Sequence, residues 1–349
     1  MASVATTLEH FAAPLARHLG DKGWETIAAA EGASGLDGFV RSHDLPPYRR
    51  RGPSALLCAF LQLRQLIRQE QPDVLHLHTP PALVIGRLAG IATGVPTVAV
   101  VHGTFLEPLS WRSVIYGVVE GLLARMAAVT VTINRDDDLF YRRACRRTSV
   151  YQAPVGGAGI DANCVRANGR GQRVHETLLC IGRLTPEKNL DLVVEAFRLA
   201  RGRVRNLRLR LVGPNSTPGD ASWTAPEIRG IDRLPWTDDP LSEMASAGVV
   251  VSASLREGFS MAVAEALVLG CPVVAVANRG TRELRRRAGR RLTLVDNDAV
   301  AMADAIVNCL ERHHDRNVQE DLLAQWSTTA AVRFHSEKVE ELVLGRGPD

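Results

Sequence analysis

Apolar residues at Leu8, Phe11, Ala12, Leu15, Ala16 and Leu19 recur three and four positions apart, which predicts an amphipathic helix. Gly20 and Gly23 break that pattern, and the small apolar run 27–30 that follows predicts a short buried strand. The alternation then repeats. A helix over 56–67 is closed off by Pro72, and 73–79 is a short buried strand running into a loop. A helix over 82–92, a strand over 97–101, a helix over 114–127 and a strand over 129–133 continue the series. Strands apolar on both faces and joined by helices imply a parallel, doubly wound α/β sheet.

The glycine-rich stretch 155–159 and the polar segment 168–172 predict a linker between domains. A second series follows, with strands near 178–181, 207–212, 249–253, 273–276 and 292–295 separated by helices. Helices over 299–312 and 318–344 close the chain. The expected organisation is a first domain over 1–160, a second over 174–325, and a final helical stretch over 326–349 reaching back to the first domain. In open parallel sheets, ligands bind beyond the carboxyl ends of the strands, so the loops there carry the candidate chemistry.

The length of 349 residues suits two such domains, and 46% hydrophobic with 23% charged content is that of a globular chain. Apolar runs such as 97–101 and 267–277 are too short to span a bilayer, and no basic segment with a small-residue cleavage site opens the chain, so a cytoplasmic location is expected. The six cysteines are scattered without close pairs, which points to reduced structural thiols and not to a zinc site or a disulfide framework. Net charge is only +4, but arginines cluster over 49–51, 142–147 and 282–291. These clusters are either plain solvated surface or patches that attract anionic lipid or a phosphate-bearing substrate, as peripheral contact with the inner membrane face would require. With aromatics at 5% and none interleaved among the basic runs, nucleic-acid binding is not expected.

Two loops concentrate polar chemistry. After the strand ending at Ile181 come Gly182, Arg183, Leu184, Thr185, Pro186, Glu187, Lys188 and Asn189, then an amphipathic helix. Thr185 or Asn189 is placed to cap that helix and Pro186 suits a first turn, while Arg183 and Lys188 add two cations beside a positive helix end. Such a segment is built for a diphosphate. The alternative is a capped helix start with surface charges. After the strand 249–253, Glu257 falls on a loop and Glu265 on the next helix, with Gly258, Phe259, Ser260 and Met261 between them. Carboxylates there accept hydrogen bonds from sugar or ribose hydroxyls, and Gly258 lets backbone approach a ligand. A surface acid pair is the duller alternative.

These two segments resemble the donor-site signatures of the retaining GT-B glycosyltransferases of family 4, the second being the E-x7-E motif of that group. In the first half, VLHLHTP at 74–80, VHGTF at 101–105, TINRD at 132–136 and PVGGAGID at 154–161 resemble the branch that assembles bacterial exopolysaccharides and lipid-linked glycans. The resemblance covers nearly the whole chain. It implies a GT-B fold, two Rossmann-like domains facing a central cleft, with a nucleoside diphosphate sugar as substrate, a glycan or lipid-linked acceptor, and no cofactor or metal. Arg183 and Lys188 are implied to hold the donor diphosphate in place of a metal ion, Glu265 the ribose, and Glu257 the donor sugar. The backbone of Gly182 and of 258–261 would line donor phosphate and sugar, and His102 would contact the sugar near the reacting carbon.

Other readings of these residues are plainer. His102 is also a strand-end histidine bonded to backbone, and His76 and His78, on one face of a strand, lack a third metal ligand at useful spacing, which favours a structural or cleft-lining role. Asp136, Asp137 and Asp138 contain a D-x-D pattern, but they open a helix, where acids act as caps and dipole partners. The chain departs from the family at its start. Met1 to Ala5 stands where a first strand is expected, so the first domain is expected to lack that strand. The alternative function is therefore a catalytically impaired nucleotide-sugar-binding homologue or partner subunit. Epimerisation fits the Arg183, Lys188 and E-x7-E set less well, and a dehydrogenase is disfavoured because no G-x-G-x-x-G follows the first strand.

Overall fold

The computed structural model describes residues 1–48, 52–104, 106, 111–145, 148–168, 174–214, 228–312 and 317–345. Phe105 of the VHGTF segment, the arginines at 49–51 and 146–147, and most of the polar linker 168–172 lie outside them. The chain divides into a unit made of Met1–Gly159 with Thr328–Asp349 and a unit made of Ile160–Ser327.

In the first unit the elements are α1 (Ala5–Phe11), α2 (Ala13–Asp21), β1 (Ile27–Ala30), β2 (Arg41–Asp44), α3 (Gly52–Glu70) and β3 (Leu75–His78). They continue with α4 (Pro80–Thr93), β4 (Thr97–Val101), α5 (Trp111–Ala124), β5 (Val129–Thr132), α6 (Arg135–Ala144) and β6 (Ser149–Gln152). The second unit begins with α7 (Ala162–Asn168), β7 (Thr177–Ile181), α8 (Leu190–Arg201), β8 (Arg208–Val212), β9 (Ile231–Leu234) and α9 (Pro240–Ser246). It ends with β10 (Val249–Ser252), α10 (Met261–Val268), β11 (Val273–Val276), α11 (Arg279–Ala288), β12 (Leu292–Val295), α12 (Ala299–Glu311) and α13 (Glu320–Trp326). The last helix, α14 (Thr328–Leu344), belongs to the first unit.

Among the described residues every strand pair is parallel. The second unit has a six-stranded sheet in the order β12-β11-β10-β7-β8-β9, which reverses direction at β7, and ligands bind at such a switch point. Its core is apolar, with Val193, Phe197, Leu209, Val249, Val274 and Ile306 all fully buried.

The first unit holds a four-stranded sheet β3-β4-β5-β6 and a separate pair β1-β2. No named strand precedes α1, in line with the expectation, but the chain start lies between the two sheets and bonds to both. Met1 N donates to His76 O at 2.7 Å, His78 N to Met1 O at 2.9 Å, and Ala2 N to Ala29 O at 3.1 Å. Residues 1–4 thus bond to β3 on one side and β1 on the other, and Val4 forms a parallel bridge with Glu31. The hydrogen bonds, not a run of β-branched residues, make this segment strand-like.

Two predicted helices are each divided. The one over 8–19 breaks at Ala12, because Pro14 in the first turn of α2 has no N–H to give to the turn before it. The one over 318–344 breaks at Ser327, where Trp326 O accepts from Ile160 N at 2.8 Å and Trp326 is fully buried. The polar β2, with sequence RSHD, carries no apolar alternation and was not legible as a strand.

Right-handed crossovers between β2 and β6 put α3, α4, α5 and α6 on one face of the first sheet. A buried polar knot joins three of them. Arg87 of α4, with no exposed surface, donates to Glu120 of α5 at 2.8 Å, and Tyr141 of α6 donates to the same carboxylate at 2.8 Å. Removing one partner of such a group leaves a buried charge unpaired, at about 3 to 5 kcal/mol.

Candidate functional site

The carboxyl ends of β7 and β8 turn on glycine. Gly182 has φ +138° and Gly213 φ +147°, backbone that side chains rarely adopt. A Cβ on Gly213 would lie 1.9 Å from Gly182 O, so the two turns touch through bare backbone. Gly213 was not singled out from the sequence; its signal is a glycine directly after an apolar strand, ahead of Pro214.

Beyond Gly182, Leu184 is buried and pins the loop, while Arg183 is exposed. Pro186–Lys188 forms one 3-10 turn and Asn189 is left-handed at φ +53°, after which α8 begins. Neither Thr185 nor Asn189 caps through its side chain, which corrects the expected cap; Asn189 instead bonds Asn297 at 2.7 Å. Lys188 Nζ reaches Glu257 Oε1 at 2.6 Å. An ammonium has three donors, so this bond leaves two to offer a ligand. Leu255 N also donates to Glu187 O at 3.0 Å, lacing the two predicted segments together. Gly182, Arg183, Lys188, Ser254 and Ser260 line one pocket at this strand edge.

The Glu257 loop is held from behind. Gly280 N donates to Glu257 O at 2.9 Å, and a Cβ on Gly280 would press to 3.0 Å from Glu257 Cβ. Asn278, in a capping box with Thr281 at the start of α11, donates its amide to Ser254 O at 2.8 Å. Phe259 turns its ring inward onto Trp326, 5.9 Å between centroids, so its side chain anchors the loop and only its backbone is left to meet a ligand. Ser260 precedes α10 without a side-chain cap bond, and Met261 is the first residue of that helix. Gly258 lies between Glu257 and this anchor. Glu265 sits on α10, where burial pushes its carboxyl up to about 7. No hydrogen bond joins it to Lys188 or Glu257 among the described residues.

In the first unit His102 follows β4, its ring 4.9 Å from that of Phe11. It ends a histidine chain: His76 Nδ1 is 2.9 Å from His78 Nε2, and His78 Nδ1 is 2.9 Å from His102 Nε2. His335 of α14 packs edge-on against His76 at 5.3 Å. Each nitrogen pair shares one proton, so in neutral rings all three must point the same way, and the tautomer of His102 is tied to that of His78. Burial lowers His102 and His335 to about 4 and holds His76 and His78 well below the usual range. His76 and His78 therefore bond each other and do not converge on a common point, and the chain was visible from sequence only as two histidines two apart.

The aspartates at 136–138 serve α6. Asn134 caps it by accepting from Asp137 N at 2.8 Å, Asp137 accepts from Thr104 at 2.6 Å, and Asp138 pairs with Arg142 at 2.6 Å. A cavity of about 630 Å³ in the first unit, lined by Leu15, Leu19, Leu63 and Val339 but also by Arg41 and Glu70, reaches His76 and His78.

Comparison with known proteins covers both halves. Residues 8–148 match the family described as glycosyltransferase family 4, and residues 175–312 match glycosyl transferases group 1. The putative glycosyltransferase EpsD of Bacillus subtilis is 25% identical over 97% of this chain and 93% of its own length. The Escherichia coli UDP-Gal:alpha-D-GlcNAc-diphosphoundecaprenol alpha-1,3-galactosyltransferase is 23% identical over 74% of this chain and 71% of its own. The crystal structure of Anabaena Alr3699/HepE in complex with UDP-glucose superposes with a TM-score of 0.72 at 18% identity, over 97% of this chain and 96% of that one. The architecture is thus GT-B.

Proposed function

Because the chain belongs to the family 4 glycosyltransferases, whose two domain types lie over its two halves, we propose that it moves a sugar from a nucleoside diphosphate sugar to a glycan or lipid-linked acceptor in cell-surface polysaccharide or glycoconjugate assembly. The observation that carries the donor site is the Lys188–Glu257 contact of 2.6 Å beside the bare backbone of Gly182. A diphosphate takes the remaining donors of Lys188 and the guanidinium of Arg183, which supply the charge stabilisation that a metal ion gives elsewhere. Glu257 accepts from sugar hydroxyls, Glu265 from the ribose, and backbone 258–261 lines the donor. His102 contacts the sugar near the reacting carbon.

Transfer proceeds with retention. The bond between the anomeric carbon and the phosphate oxygen breaks with its electron pair leaving on the nucleoside diphosphate. The acceptor hydroxyl attacks from the same face, and its proton passes to a leaving phosphate oxygen. Likeness to a galactosyltransferase named for UDP-Gal and to a structure bound to UDP-glucose supports testing uridine donors first. The arginines of 142–147 and 282–291 attract an anionic membrane carrying the acceptor, although Arg286 and Arg287 are already engaged by Glu283.

Donor hydrolysis across a panel of UDP and GDP sugars tests the proposal. One donor is expected to turn over, and Lys188→Met and Glu257→Gln each to slow it by about 100-fold or more. Binding of a panel donor with no turnover of any, with or without acceptor, would favour the impaired-homologue reading instead.

A further inference from the structure

Helix α5 is built inside out. Trp111, Val114, Ile115, Val118, Val119 and Leu122 follow helical spacing along one face, and all are exposed, Trp111 by 69% and Val118 by 60%. Its polar Ser113 and Glu120 are buried instead, at 6% and 5%. A helix on the water-facing side of a sheet ordinarily shows the opposite pattern, and an exposed apolar stripe of this length marks an interaction surface. The neighbouring helices on the same face add to it, with Leu57 and Leu61 of α3 and Ile91 of α4 each at least half exposed.

Charge identifies what covers the stripe. Together α3, α4 and α5 carry only two acidic residues, Glu70 and Glu120. Both are engaged inward, Glu70 by Arg41 and His43, Glu120 by Arg87 and Tyr141. Arg68 and Arg125, by contrast, are exposed at the carboxyl ends of α3 and α5. Among the described residues of α3, α4 and α5 the surface is therefore apolar with a basic margin and no outward acid, the complement of an anionic bilayer. Trp111 suits the headgroup level, and it begins the helix that follows β4, at whose end His102 stands.

We propose that the face formed by α3, α4 and α5 is a membrane-docking surface, with the α5 stripe lying in the interface of an anionic lipid bilayer and the carboxyl edge of the first sheet held close to it. This deepens the lipid-linked acceptor reading and rests on it only for its use in the reaction, since docking itself needs neither donor nor acceptor.

The full chain is sedimented with vesicles of phosphatidylcholine alone and of phosphatidylcholine mixed with phosphatidylglycerol, and donor hydrolysis is measured separately in solution. The wild type is expected to sediment with the mixed vesicles. The double substitution Ile115→Asp and Val118→Asp is expected to lower the bound fraction at least about tenfold, because charge replaces inserted apolar surface. Since both positions are exposed, its melting temperature and its donor hydrolysis are expected to match wild type; Trp111→Ala gives an independent, milder loss. Wild type left in the supernatant with mixed vesicles, or an aspartate variant binding as well as wild type, overturns the proposal. So does a wild type that is dimeric by light scattering while the aspartate variant is monomeric, which would assign the stripe to a second copy of the chain.

Discussion

Lys188 and Glu257 come from loops 69 residues apart and meet at 2.6 Å, so each holds the other in place before any ligand arrives. Glu265 is tuned differently. Its carboxyl lies near 7, so Glu265 must release its proton before the proposed ribose hydroxyls can donate to the ionised form. Donor affinity is therefore expected to rise roughly tenfold from pH 6 to pH 8 and to become flat in Glu265→Gln, as read by titration calorimetry. A wild type whose affinity does not change over that range contradicts this role. The meeting of Lys188 and Glu257 in the candidate site was legible because loops after strands expose such residues in a short, ordered pattern. Gly213 and Asn278 were not, since their contribution is backbone approach and a bond to Ser254 O, which spacing alone does not reveal. Phe259 was legible as part of the loop but not as an anchor on Trp326, a partner 67 positions away.

Among the elements, strands apolar on both faces and long amphipathic helices followed directly from periodicity. Breaks did not, since the stop at Ser327 depends on a bond from Ile160, and β2 is a strand only because β1 lies beside it. The β7 and β8 turns lead to a sharp expectation. Gly213→Ala drives a Cβ into Gly182 O at a φ unfavourable for alanine, and is expected to destabilise by about 3 kcal/mol in urea unfolding; a change within 0.5 kcal/mol would show the contact to be slack. The histidine chain gives the first unit an acid sensitivity. An unfolded histidine takes its proton near 6.5 and folded His335 only near 4, so the unfolded state binds more protons between those values and stability falls as pH falls through that window. His335→Met is expected to reduce the stability lost between pH 7.5 and pH 5 by on the order of 2 kcal/mol. Its Nδ1 has no hydrogen-bond partner among the described residues, so the substitution deprives that nitrogen of none. An unchanged loss would mean that water reaches the ring.

At the scale of the molecule, two Rossmann-like units could be read from the alternation of strands and helices, and the family resemblance of both halves agrees with the matches over 8–148 and 175–312. The segment 1–4 forms no named strand, as expected, but its backbone bonds to β1 and β3 were not legible because four residues carry no periodicity. The outward apolar face of α5 was equally hidden: helical spacing finds a stripe but does not say which side of it meets water. The second unit is proposed to grip a nucleoside diphosphate sugar through Lys188, with Glu257 beside it. Calorimetric titration of the full chain with the donor selected by hydrolysis tests this most directly. Saturable binding to the wild type is expected, displaced by the free nucleoside diphosphate and weakened at least about tenfold in a folded Lys188→Met variant. Equal affinity in that variant, or no binding of any nucleotide sugar by the wild type, would contradict it.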